Sequence, residues 1–217
     1  MKTDKQVQQD VMAELNWEPS VNAAHIGVEV NEGVVTLAGH VSSYVEKLGA
    51  ENAAQRVAGV KAVAVEMDVK LAGGTQRNDS DIAQSAESVL RWTSYVPSHQ
   101  VKVKVEKGWV TLTGDVEWEF QRSAAVSAVR GLTGVVGITD MIAIEPAVTP
   151  TIVKSEIEAA LKRRASRHAK SISVEVNGSD VTLTGIVNDW SERQLAKTSA
   201  WSTPGVRHVQ DNMTVTF

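Results

Sequence analysis

The sequence predicts an α+β protein of three tandem αββαβ domains, each a three-stranded mixed sheet with two helices on one face. Two observations lead there. An apolar segment closing on glycine occurs three times, as Gly33-Val34-Val35-Thr36-Leu37-Ala38-Gly39, Gly108-Trp109-Val110-Thr111-Leu112-Thr113-Gly114 and Ser179-Asp180-Val181-Thr182-Leu183-Thr184-Gly185. Twenty residues after each closing glycine stands a Gly-Val pair, at Gly59-Val60, Gly134-Val135 and Gly205-Val206. The closing glycines, at 39, 114 and 185, are 75 and 71 residues apart. Periods this long exceed those of most solenoid units, so each copy should close its own core. The copies span 1–72, 77–146 and 149–217. Domains of about 70 residues have a large surface for their buried volume, so contact between copies would add stability.

In the first copy Thr3 or Asp4 can cap a helix whose Val7, Val11 and Leu15 form one apolar stripe, ended by Trp17, Pro19 and Ser20. Ile26, Val28 and Val30 alternate with Gly27, Glu29 and Asn31 as a half-buried strand. Asn31-Glu32-Gly33 turns the chain into a second strand with Val35, Leu37 and Val41 inward. Ser43 and Glu46 have capping-box spacing ahead of a helix with Gly49, Ala50, Ala53 and Ala54. Gly59 suits the left-handed turn that ends it, and Val63, Met67 and Val69 mark the last strand.

The second copy repeats the pattern with Ile82, Ala86 and Leu90, then Val101, Val103 and Val105, then Val110, Leu112 and Val116. A helix from about Trp118 to Arg130 leads to Ile138, Ile142 and Ile144. The third copy follows a proline-marked joint, with Thr149 as cap and Pro150 at the first helical position. Its helix stripe is Val153, Ile157 and Leu161, its hairpin carries Ile172, Val174, Val176, Val181, Leu183 and Val187, and Asp189 with Glu192 caps the second helix. In every copy the hairpin threonine (Thr36, Thr111, Thr182) points away from the helices, onto an open sheet face. Gly39, Gly114 and Gly185 are expected to leave room for a helix to approach the sheet, with Gly59, Gly134 and Gly205 as further structural glycines.

The order of elements, the Val-Thr-Leu-x-Gly core and the later Gly59-Val60-x-x-Val63, Gly134-Val135-x-x-Ile138 and Gly205-Val206-x-x-Val209 resemble the BON domain, named for bacterial osmotically inducible and nodulation proteins. The resemblance implies a non-enzymatic module that binds phospholipid or membrane surfaces, often in envelope or osmotic-stress proteins. Family members associated with envelopes usually carry a signal or lipoprotein anchor. The amino terminus, Met1-Lys2-Thr3-Asp4-Lys5-Gln6-Val7, shows neither, so a cytoplasmic location is expected, with a periplasmic one as the alternative.

Composition narrows the chemistry. Cysteine is absent, which removes disulfides and thiol chemistry. No apolar run approaches the roughly 20 residues of a membrane span. His25, His40, His99, His168 and His208 show no ligand spacing along the chain and read as exposed side chains, so no metal and no cofactor is expected. Gly131, Gly134 and Gly137 follow a helix instead of opening one, unlike a dinucleotide fingerprint. No nucleophile elbow or recurring carboxylate pair points to catalysis, and Asp140 and Asp211 are expected in a turn or bulge before the last strand.

Residues 1–72 carry 6 basic and 10 acidic side chains, residues 73–146 carry 7 and 9, and residues 147–217 carry 9 and 7, for a total of −4. The third copy alone is net basic, and its cations concentrate in Lys162, Arg163, Arg164, Arg167 and Lys170, where phosphate head groups could meet them. Nucleic acid fits less well, because the chain is acidic overall and no aromatics interleave with this run. Trp17 and Trp92 occupy equivalent places after the first helix, where a tryptophan usually covers a core edge. Trp109 falls on the open face and is the aromatic candidate for a lipid or partner contact. The sequence therefore points to a binding protein for anionic phospholipid surfaces, or else to a protein-interaction or self-assembly scaffold using the open faces.

Overall fold

A computed structural model describes residues 2–71, 73, 77–97, 99–146, 157–159 and 172–216. In the first copy α1 (Asp4–Trp17) precedes a short 3-10 turn (Ala23–His25), β1 (Ile26–Asn31), β2 (Val34–Val41), α2 (Tyr44–Arg56) and β3 (Ala62–Val69). The second copy contains α3 (Asp79–Trp92), β4 (Val101–Glu106), β5 (Trp109–Val116), α4 (Glu119–Arg130) and β6 (Gly137–Ile144). The third contains β7 (Ile172–Asn177), β8 (Asp180–Val187), α5 (Trp190–Trp201) and β9 (His208–Val215). Of its first helix, residues 157–159 are described and helical. The expected cap at Thr149 and Pro150, with Val153 and Leu161, lies outside the described residues.

Each copy forms its own sheet, with the hairpin strands first and the crossover strand beyond them. In the first copy β1 and β2 are antiparallel, β2 and β3 parallel; β7, β8 and β9 repeat this in the third. Alternation sends Val35, Leu37 and Val41 to one side, where they meet Val7, Val11 and Leu15 of α1 and Ala50, Ala53 and Ala54 of α2 in one core. All nine are at most 2% exposed. The alanines bring the α2 backbone close to the sheet. Burying a valine or leucine contributes about 1.5–3 kcal/mol, against under about 1 kcal/mol for an exposed ion pair. The stripes therefore decide the fold, and pairs such as Lys2 with Asp10 add little. In the third copy Ile157 reaches the same kind of core, beside Val174, Val181 and Leu183.

Local polar groups fix where elements start. Thr3 caps α1 in a full capping box with Gln6. Ser43 caps α2 by accepting from the Glu46 N–H, but the Glu46 carboxylate goes one residue further back than a standard box. It accepts from the Ser42 N–H and hydroxyl, both at 2.7 Å, and from the Asn22 N–H at 2.8 Å. Burial pushes this carboxyl up, yet those hydrogen bonds outweigh it and hold Glu46 below the usual carboxylate value. Gln121 and Glu192 repeat the reach-back, to the Trp118 and Glu117 amides and to the Asn188 amide.

The hairpin turns are two residues long. Glu32 and Lys107, each followed by glycine, have φ of 50° and 51°, as a type I′ turn requires at both central positions. A side chain at that φ is uncommon. The Asp4 carboxylate accepts from the Glu32 and Gly33 amides at 2.8 and 3.0 Å, and Asp79 accepts from the Lys107 and Gly108 amides, both at 2.8 Å. In these two copies the first turn of the first helix thus holds the hairpin turn in place. The third copy has Gly178 at the first turn position instead, with φ 60°.

The glycines correct one expectation. A Cβ on Gly39 would collide with the His25 carbonyl oxygen, and one on Gly114 with that of Gln100. The crowding comes from the backbone leading into the neighbouring strand, not from a helix. Gly39, Gly114 and Gly185 also have φ of 127°, 130° and 137°. Room for a helix is the task of the later glycines: a Cβ on Gly59 would stand 3.0 Å from Val7, and one on Gly134 would stand 2.9 Å from Ile82. Asp140 and Asp211 are also placed differently from expectation, within the last strands rather than before them.

Packing divides the chain into two compact units that cut across the repeats. One holds the described residues up to Thr93, which are the first copy and α3, with residues 102–112 and 126–140, and the other holds the described residues of 94–101 with residues 113–125, 141–146 and the described third copy. Within the first unit Tyr44 hydrogen-bonds with the Ile138 backbone near Arg130, and burial pushes its phenol up. Within the second, the Arg122 guanidinium lies 5.2 Å from the Trp201 ring centroid.

Replacing Gly114 by alanine should destabilise the protein by about 2–4 kcal/mol, because backbone strain and a collision add. Gly131→Ala, where a Cβ meets nothing within 4 Å, is the matched control. Urea unfolding of the two variants checks this; equal midpoints would remove the explanation. Glu46→Gln should cost about 1–3 kcal/mol near neutral pH, the worth of hydrogen bonds to a charged group. The folded pKa is depressed, so this stability is present above the ordinary value of 4.5 and is lost as pH falls through the lower folded value. Wild type and variant should therefore draw together in unfolding curves as pH falls below 4.5.

Candidate functional site

Of the candidate lipid-contact residues, Trp109 is the one that lies within the described residues, on the open face of the second sheet, and the lysines near it were not singled out by the sequence. Alternation along β5 buries Val110 and Leu112 and turns Trp109 and Thr111 to the other side. The Trp109 indole does not project freely. Its Nε1–H donates to Thr139 Oγ1 at 2.7 Å, and its ring lies over Gly137, where any Cβ would collide with it. Glycine at 137 therefore makes the seat for the indole on β6. With 47% of its surface exposed, Trp109 presents one broad side outward.

Lysines and carboxylates share this face, with Glu106 on β4 and Asp115 on β5 among its exposed positions. Lys102 and Lys104 stand on the exposed positions of β4, and Lys107 lies in the turn. Lys104, Glu106, Lys107, Trp109 and Thr111 line a shallow groove. Lys104 contacts Glu106 at 3.1 Å, with both side chains about 70% exposed (73% and 69%), so the pair is worth little and leaves the lysine available. The face can offer amphipathic aromatic surface and several ammonium groups to an anionic partner.

Other candidates fall elsewhere. Lys162, Arg163, Arg164, Arg167 and Lys170 lie outside the described residues. Trp17 and Trp92 do not cover a core edge, being 82% and 84% exposed. The helix ends at each of these tryptophans, and the stripe residues two positions earlier, Leu15 and Leu90, already close the core. His25 and His40, read singly as exposed side chains, come together with ring centroids 4.6 Å apart. Spacing along the chain hides this pair; counting outward from the two-residue turn finds it. Among the described residues no group of three His, Asp or Glu side chains is placed to hold a metal ion, and no helix is long and apolar enough to cross a membrane.

The model of the BON domain matches residues 3–70, 78–146 and 151–216. The chain belongs to the BON domain family. A relative is osmotically-inducible protein Y of Escherichia coli (strain K12), 26% identical over 148 residues, which cover 64% of this chain and 74% of the relative. Among solved structures, CdsD, a structural protein of the type III secretion system of Chlamydia trachomatis, is 16% identical with a TM-score of 0.25, over 97% of this chain and 92% of that one. The PrgH periplasmic domain is 15% identical with a TM-score of 0.22, over 88% and 95%. Scores this low carry no argument. As a BON protein the chain shows its family pattern in the core and turn glycines, whereas Trp109, Lys102 and Lys104 belong to the second copy only, with Val34, Gly27 and Glu29 at the same places in the first.

If Gly137 seats the indole, the Trp109 Nε1–H should exchange with solvent more slowly than those of the exposed Trp17 and Trp92. Gly137→Ala should displace the ring and abolish the difference. Hydrogen exchange of the indole resonances by NMR checks both; unchanged protection in the variant would contradict the seating.

Proposed function

We propose that this BON protein is a non-catalytic binding protein that rests the open sheet face of its second copy on anionic phospholipid surfaces. The observation that carries the reading is the indole of Trp109 laid across that face among Lys102, Lys104 and Lys107. Tryptophan favours the membrane interface, where its ring is apolar and its N–H polar. Each basic side chain near an anionic bilayer contributes about 1 kcal/mol. Three lysines and the indole give weak, reversible attachment, and the run from Lys162 to Lys170 adds further cations from the third copy. The likeness to an osmotically inducible protein supports a role in osmotic or envelope stress. Together with the envelope role that the family resemblance implies, it supports the periplasmic alternative over the cytoplasmic location.

The scaffold reading separates from this one by salt. Head-group attraction between exposed charges is screened within a Debye length of about 8 Å at physiological ionic strength, whereas an apolar protein interface persists. In flotation with phosphatidylglycerol vesicles at low salt the wild type should rise with the vesicles and be released at high salt. Lys102→Glu with Lys104→Glu should lower the bound fraction several-fold, and Trp109→Ala should weaken it further. A wild-type chain that stays with the soluble fraction, or binding indifferent to salt, would overturn the proposal.

A further inference from the structure

The open face of the first copy has a different composition. Its strand positions carry Glu29, Glu66 and Asp68, with no lysine or arginine, so this face is a local acidic surface. At one end of it, Ile26 pairs with Gly39, and one step further out His25 stands opposite His40. The two imidazoles stack, with centroids 4.6 Å apart and planes inclined by 17°. The parallel ladder sets Asp68 beside His40. His25 at the end of the 3-10 turn, His40 on β2 and Asp68 on β3 therefore lie side by side at one end of the sheet.

Same-face neighbours on paired strands have Cβ atoms about 4.5–5.5 Å apart, a span that one cation with ligand bonds of about 2.0–2.2 Å can bridge once the side chains turn toward it. Imidazole with carboxylate suits zinc and its borderline neighbours better than magnesium or calcium, which prefer oxygen alone. Nothing in the fold requires these residues. At the places of His25, His40 and Asp68 the second copy has Gln100, Asp115 and Ala143, and Ile186 and Thr214 take the places of His40 and Asp68 in the third. The three groups are aligned but not converged, since no three such side chains are already at ligating distance among the described residues. Closure needs rotation of the rings and of the Asp68 carboxylate toward a shared point.

We propose that His25, His40 and Asp68 bind one divalent transition-metal cation of the zinc class on the open face of the first copy. Calorimetric titration of the untagged full chain with zinc chloride at about pH 7.5 tests this. One zinc per chain is expected. His25→Ala and His40→Ala should each weaken binding at least about tenfold, Asp68→Asn should weaken it several-fold, and His208→Ala should leave it unchanged. Lowering the pH to about 5.5 should weaken the wild type by more than about tenfold, because the ligating imidazoles must lose their protons. The three positions are exposed or half-buried, so the variants should fold, and circular dichroism checks that they do. No binding by the wild type, or binding retained when both histidines are alanine, would overturn the assignment.

Discussion

One-sided burial is the constraint on which the rest of this structure depends. A domain of about 70 residues has enough apolar material to cover one face of a three-stranded sheet and no more. In each copy that material is the valine and leucine of the repeated segment, met by the stripe of the first helix or its described part and by the alanines of the second. The helices described for each copy lie on that one face, and the residues of the other face answer to fewer packing requirements. The cores consequently stay alike, while the open faces differ: acidic with two histidines in the first copy, basic around an indole in the second.

Much of this was legible in the sequence because the repeat supplied three readings of each position. Helix stripes, strand alternation and the parallel third strand all follow from periods of 3.6 and 2 applied in register. The glycines were legible as necessary but not as to cause. A period cannot tell crowding by the backbone near His25 from crowding by a helix, and positive φ at Gly39 appears only in three dimensions. Trp17 and Trp92 were misread for a related reason: burial statistics for tryptophan describe the residue type, and these two sit two positions past the last core residues, Leu15 and Leu90. The placement of Trp109 on the open face was derivable from alternation, but its seat was not, since Gly137 lies 28 residues away on a strand joined through a helix. The basic run of the third copy remains a statement about sequence.

Contacts between copies use matched positions with exchanged chemistry. Counting by repeat, Arg130 and Trp201 are equivalent, at the carboxyl ends of α4 and α5. Where Arg130 lies near the aromatic Tyr44 of the first copy, Trp201 lies under the cationic Arg122 of the second. Both pairs put an aromatic ring with a cation, on opposite sides of the contact.

The carboxylate of Asp4 or Asp79 on its hairpin turn has an implication for how such copies can be recombined. In the first two copies the turn needs a left-handed non-glycine residue and the aspartate that steadies it; in the third, glycine leads the turn and Pro150 takes the aspartate's place in the sequence. Turn and helix start are thus one inheritable unit, although nearly thirty residues separate them along the chain. A chimaera that exchanges hairpins between copies without their first helices would strand a clamp with nothing to hold, or a strained turn with no clamp. Crossovers placed ahead of the first helix keep both halves together.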